Sequence, residues 1–260
     1  MRPAPLRTSM ISFAVLSLAA ASCGKAPADF TASERASQGE GCTVETTTRA
    51  LRILVMVDNS GSTDKTDPSQ AYRVQTLRTF LADYGSHANL SYGFGYFDDD
   101  AYLYDANGGR FTSGSASLPF GSAATIAAAL DTYHASIPPA GNTGYGAAFG
   151  ALRSAIAQDE ASGQRSDYAV VFMSDGQPTD VSGNVPSAIT NLVRGLRGVA
   201  ETNGKSHLSV SAVYFGPATD ATSISNLRGM AAEGAGQFVD TNHLSAGGLA
   251  IDDVVTIPGC

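Results

Sequence analysis

Leu51-Arg52-Ile53-Leu54-Val55-Met56-Val57 is a near-continuous aliphatic run that stops at an acidic residue, Asp58, and Tyr168-Ala169-Val170-Val171-Phe172-Met173 repeats the pattern before Ser174-Asp175-Gly176. Runs of this kind belong to strands covered on both faces, the situation of parallel sheets packed between helices. Further strands are expected at Leu90 to Phe97, at Ala101 to Tyr104 across a Gly/Asp-rich hairpin, at Leu208 to Phe215 and at Gln237 to Val239. Apolar residues at helical spacing predict helices at about Ser122 to His134, Gly144 to Gln158, Pro186 to Thr202 and Ser223 to Glu233, with a last one up to about Val255. Another is expected from Asp67-Pro68 to about Tyr84, with Tyr72, Leu77, Phe80 and Leu81 as its apolar face. This alternation implies an α/β fold: a doubly wound, mainly parallel central sheet flanked by helices, with one antiparallel edge hairpin. Ligands of such sheets bind at the carboxyl ends of the strands, where Asp58 and Asp175 stand.

Asp58, Ser60 and Ser62 share one tight loop leaving the first strand, and Gly61 gives its backbone room to bend. Alternate residues in such a turn aim their oxygens at a common centre. Asp175 and the hydroxyl of Thr143, in Gly141-Asn142-Thr143-Gly144, are the candidates to complete it. Two carboxylates and three hydroxyls make a hard, oxygen-only pocket suited to Mg²⁺, Ca²⁺ or Mn²⁺ rather than to zinc or copper. The Asp-x-Ser-x-Ser string alone also describes an ordinary turn or helix cap.

In this order and on these elements, Asp58-x-Ser60-x-Ser62, Thr143 and Asp175-Gly176 resemble the metal-ion-dependent adhesion site of von Willebrand factor A domains, over about residues 47 to 257. The resemblance implies a Rossmann-like fold in which Ser60, Ser62 and Thr143 coordinate directly or nearly so while Asp58 and Asp175 often act through water. It also implies a coordination position left open for an Asp or Glu carboxylate from a protein or peptide partner. Few directly bound negative charges keep such a metal electrophilic enough to accept that carboxylate.

The N-terminus carries an address. Arg2 and Arg7 precede an apolar, small-residue run, Met10 to Ala21, too short for a bilayer, which takes about 20 residues. Its end, Ala20-Ala21-Ser22-Cys23, resembles the lipobox of bacterial lipoproteins, with Ala20 where Leu is usual; an ordinary secretory signal cut near Ser22 is the alternative. The lipobox reading implies a signal peptide over 1–22, lipid on Cys23, a flexible tether over 23–46 and a folded domain over 47–260, on the extracytoplasmic side of a bacterial envelope. It leaves Cys42 and Cys260 to pair, stapling the domain's two ends.

A formal charge of −8 without basic clusters argues against nucleic acid and anionic lipid surfaces as partners. Gly204-Lys205-Ser206 has the wrong glycine spacing and follows a helix instead of a strand, so no nucleotide site is expected. Asp98-Asp99-Asp100 fails the EF-hand spacing and reads as a solvated hairpin; Asp64 and Asp67 are candidates for an outer shell, with Asp67 also a helix N-cap before Pro68. Three uses of the metal remain: a lipid-anchored module binding a protein or peptide partner, a metal-dependent hydrolase lacking an obvious His or Lys base, or a structural domain whose metal only staples loops. The first, a non-enzyme, is the reading the motif favours.

Overall fold

The computed structural model describes residues 49–87, 89–202, 206–244, 249–250 and 253–255. The leader, the tether, Cys23, Cys42 and Cys260 lie outside the described residues, and so does most of the helix expected before Val255.

The aliphatic run forms β1 (Ala50–Asp58), in which Ile53 to Asp58 are all buried. A one-turn helix, α1 (Thr63–Thr66), and a π-helical turn, Ala71–Gln75, lead into α2 (Thr76–Tyr84). Next come β2 (Leu90–Phe97), β3 (Ala101–Leu103), α3 (Ala123–Ser136) and α4 (Tyr145–Ala161). β4 (Ser166–Ser174), α5 (Val185–Ala200), β5 (Leu208–Tyr214), α6 (Ala221–Glu233), β6 (Ala235–Asp240) and a 3₁₀ turn, Thr241–His243, complete the order. Side chains of Ser122, Asn184 and Asp220 cap α3, α5 and α6 by accepting the backbone N–H three residues on.

The sheet order is β3-β2-β1-β4-β5-β6, parallel except for the antiparallel β2–β3 pair. The expected fold class is therefore the observed one, edge hairpin included. Alternate residues of each strand feed two cores. Leu54, Met56, Tyr168, Val170 and Phe172 pack with α4, α5 and α6. Ile53, Val55, Val57, Ala169 and Val171 pack on the other face with α2, α3 and Val254. The direction of strand addition reverses between β1 and β4, which opens the crevice where a doubly wound sheet binds ligands.

The helix expected from Asp67-Pro68 is corrected. Residues 67–70 form turns, Gln70 takes a left-handed conformation at φ 53°, and the helix begins as the π turn. The Asp67 carboxylate still caps, but accepts from the N–H groups of Tyr72 and Arg73 instead of those just after Pro68.

β2 shows how tightly the sheet is packed. Tyr92, Phe94 and Tyr96 fill one core, whereas Gly93 and Gly95 face the other, where an added Cβ at Gly93 would overlap the Leu54 side chain and the Pro119 carbonyl. We expect Gly93→Val to destabilise the fold by about 2–3 kcal/mol, the usual cost of overpacking a filled core, as read from the midpoint of urea unfolding. No helix among the described residues is long and apolar enough to cross a membrane.

Candidate metal centre

β1 and β4 are adjacent and in register, Val57 opposite Met173, so Asp58 and Ser174 finish their strands side by side. The Ser174 hydroxyl donates to Asp58 Oδ2 at 2.6 Å, and the Ser60 N–H donates to Asp58 Oδ1 at 2.8 Å. Both oxygens of a carboxylate with no exposed surface are thus committed to short hydrogen bonds. Burial, followed by the like charge of Asp175, lifts the Asp58 carboxyl from 3.8 to about 6 against the opposing effect of those bonds.

One residue beyond Ser174, Asp175 is 3% exposed and points to the same place. Its Oδ1 accepts from the Ser62 hydroxyl at 2.9 Å, its Oδ2 from the Thr66 hydroxyl, and the Ser60 and Ser62 oxygens are 3.1 Å apart. A serine that gives its proton to a carboxylate keeps its oxygen lone pairs for a cation.

Thr143 comes from the loop before α4. Two backbone bonds hold that loop against the one leaving β1: Gly61 N–H to the Gly141 carbonyl at 3.2 Å and Ala140 N–H to the Asn59 carbonyl at 2.9 Å. Thr143 is 6% exposed, its carbonyl accepts from Thr179, and its hydroxyl has no hydrogen-bond partner among the described residues. The hydroxyl faces Gly176, where an added Cβ would lie 3.8 Å away. All five expected residues are thus gathered at the carboxyl ends of β1 and β4. Among the described residues, no three His, Cys, Asp or Glu side chains cluster as a metal site. A cation here relies on hydroxyls beside two carboxylates, and that donor set, with one nearly buried hydroxyl unpaired, fits a hard divalent ion.

Four supporting groups escaped the sequence reading. Ser174 and Thr66, which bond Asp58 and Asp175, lie beside or one turn from expected residues, and that proximity was the only signal. Arg73 was hidden in a stretch read as an amphipathic helix. It is 1% exposed, its Nε is 3.2 Å from Asp67, and it donates to Thr63 Oγ1 at 2.9 Å and to Asn59 Oδ1 at 3.3 Å. Asn59 also accepts from the Tyr133 hydroxyl at 2.7 Å, so the metal loop rests on a buried polar network rooted in α3 and the π turn. Asn142 is the fourth: it donates to Asp99 Oδ1 at 2.7 Å. The hairpin expected to be merely solvated, whose Asp99 and Asp100 are indeed exposed, therefore also braces the Thr143 loop, where Gly141 at φ 66° lies against the Asp99 carboxylate. Of the outer-shell candidates, Asp64 is exposed and Asp67 faces Arg73.

No protein-family model matches the sequence, and no curated protein matches it. Solved structures do. The manganese-loaded TRAP protein of Plasmodium vivax is 14% identical with a TM-score of 0.50, the match covering 71% of this chain and 63% of that one. A von Willebrand factor type A protein from Catenulispora acidiphila is 14% identical with a TM-score of 0.49, covering 74% of this chain and 38% of that one. Proximal thread matrix protein 1 of the mussel byssus, with a zinc-occupied MIDAS motif, is 16% identical with a TM-score of 0.42, covering 74% and 41%. The chain thus spans less than two thirds of the length of each, and the likeness, carried by the first, is one of fold.

Proposed function

Starting from a chain with the von Willebrand factor A fold, we propose that it is a metal-dependent protein-interaction module. Ser60, Ser62 and Thr143 hold a divalent ion, Mg²⁺, Mn²⁺ or Ca²⁺, with Asp58 and Asp175 around them, and a carboxylate of a protein or peptide partner completes its coordination. The ion would supply Lewis acidity toward that carboxylate; the protein's own groups position the hydroxyls, with Ser62 donating to Asp175 and Ser60 held beside Ser62.

The observation that carries this reading is the division of labour at the five residues. The carboxylate oxygens of Asp58 and Asp175 are occupied by hydrogen bonds from Ser60, Ser174, Ser62 and Thr66, whereas the Thr143 hydroxyl has no hydrogen-bond partner among the described residues. Such a site presents hydroxyl lone pairs to the ion and keeps its negative charges one step back, which leaves the ion in want of an external anion. The manganese in the TRAP structure supports the divalent reading. Both carboxylates are tied up by hydrogen bonds from hydroxyls and a backbone amide, which supports a holding role for them over a proton-transfer one.

In this proposal Cys23 carries a lipid, residues 23–46 are a tether, Cys42 and Cys260 pair, and the module works on the outer side of a bacterial membrane. Its test is a pull-down from envelope extract with the immobilised full chain, in Mg²⁺ or Mn²⁺ and in chelator, beside Asp58→Ala. A protein retained by the wild type only with metal, and not by Asp58→Ala, is the expected result. The same proteins retained with and without chelator would leave the metal a stapling role and refute the reading.

A further inference from the structure

Beside the metal centre runs an open groove of about 290 Å³, lined by Lys65 and Thr66 of α1, Tyr72 of the π turn, Phe215 and Pro217 after β5, and Asn242 of the 3₁₀ turn. That is the small end of the range for ligand pockets, about 300–1,000 Å³, and suits one or two side chains of a larger partner. The groove is continuous with the metal site: Thr66 lines it and also donates to Asp175 Oδ2. The half-buried Tyr72 ring, backed by its stack at 6.1 Å on the buried Phe215, gives it an aromatic side, and Asn242 is oriented by donating to the Gly216 carbonyl at 3.0 Å.

Its charge decides what fits. In a chain of formal charge −8, the only charged side chain among the described residues lining this groove is a cation, Lys65. Lys65 is exposed, follows Asp64 and sits three residues after Ser62, and its ammonium makes no salt bridge or hydrogen bond among the described residues. A partner carboxylate on the metal therefore arrives next to a positive charge that no described residue neutralises, in a groove that Tyr72 also lines.

We propose that this groove is a second recognition subsite, resting on the metal-binding reading above, and that it takes an acidic side chain of the same peptide segment whose first carboxylate binds the ion. Lys65 pairs with the second acid, and Tyr72 contacts its aliphatic stem and the neighbouring residue. An extended peptide covers about 3.3 Å per residue, and Lys65 is next in sequence to the residue that touches Asp175. The two acids are therefore separated by no more than about four residues.

The experiment uses a displayed peptide library with one fixed Asp flanked by randomised positions, selected on the full chain in Mn²⁺ and eluted with chelator. Wild type, Lys65→Arg, Lys65→Glu and, as a control for net charge, Arg153→Glu on α4 are compared. Acidic residues are expected to be enriched about threefold to fivefold within four positions of the fixed Asp on wild type, Lys65→Arg and Arg153→Glu, the scale of an exposed ion pair, and depleted on Lys65→Glu. Chelator-released peptides with no acidic bias, or the same bias on Lys65→Glu, would overturn the subsite and leave the metal reading standing. No chelator-released peptide on any variant would overturn both.

Discussion

Arg73→Met is expected to destabilise the domain by about 3–5 kcal/mol, lowering its melting temperature by roughly 10 °C, far more than an ordinary surface substitution. The reason is what it leaves behind. Arg73 and Asp67 are each 1% exposed at the side chain, and their 3.2 Å contact balances two charges withdrawn from water. Removing the guanidinium leaves the buried Asp67 carboxylate with only the Tyr72 and Arg73 backbone N–H groups as partners, and takes one donor each from Asn59 Oδ1, Thr63 Oγ1 and the Asp67 carbonyl. Replacing both partners, Arg73→Met with Asp67→Leu, is expected to recover most of the loss, because neither charge is then buried alone. Urea unfolding of the four proteins closes the cycle; a double variant no more stable than Arg73→Met would show that the pair is not what stabilises this corner.

The second large effect is a reversed pH dependence in chelator. Asp58 has a folded value of about 6 against 3.8 unfolded, so between roughly pH 4 and 6 the folded state holds a proton that the unfolded state has lost. Stability from this group is then present at the acid end and falls as pH rises, reaching a cost of about 3 kcal/mol above pH 6, where the buried carboxylate is ionised beside Asp175. A divalent ion bound as proposed would supply the missing positive charge and remove that cost. Wild type in chelator is expected to melt higher at pH 5 than at pH 7.5, and the order to invert in saturating Mn²⁺. Asp58→Asn, which has nothing to titrate there, should lack the chelator-dependent slope. A wild type whose melting curves keep the same pH order with and without metal would place the origin elsewhere.

The two effects come from groups that the sequence shows unequally well. The central strands were legible because a strand buried on both faces needs an uninterrupted aliphatic run, and Ile53 to Val57 and Tyr168 to Met173 are such runs. The acids that end them were legible because parallel neighbours in register bring their carboxyl ends together. The loop's foundation was not. Periodicity shows that Tyr72, Leu77, Phe80 and Leu81 share a side, but an arginine among them is indistinguishable from a solvated one until Asn59, Thr63 and Tyr133 are seen to surround it. The turn between Asp67 and Gln70 hid for a related reason: an Asp-Pro pair signals a helix start, whereas the Asp67 carboxylate accepts from the Tyr72 and Arg73 N–H groups and pairs with the buried Arg73, and the helix opens at Ala71 with a π turn. Ser174 was passed over because it sits between an expected strand and an expected ligand, although its hydroxyl is what orients Asp58.

That one divalent ion is held by Asp58, Ser60, Ser62, Thr143 and Asp175 together is tested most directly by titrating Mn²⁺ into the full chain and following the free-ion paramagnetic resonance signal, for wild type, Thr143→Ala and Asp175→Ala. Wild type is expected to show a single site, with affinity lowered about 10–100-fold or more by Thr143→Ala and no binding above background for Asp175→Ala, the folded state of all three being confirmed by circular dichroism. A folded wild type that leaves the free-ion signal untouched, or variants that bind as tightly as it does, would contradict the five-residue site.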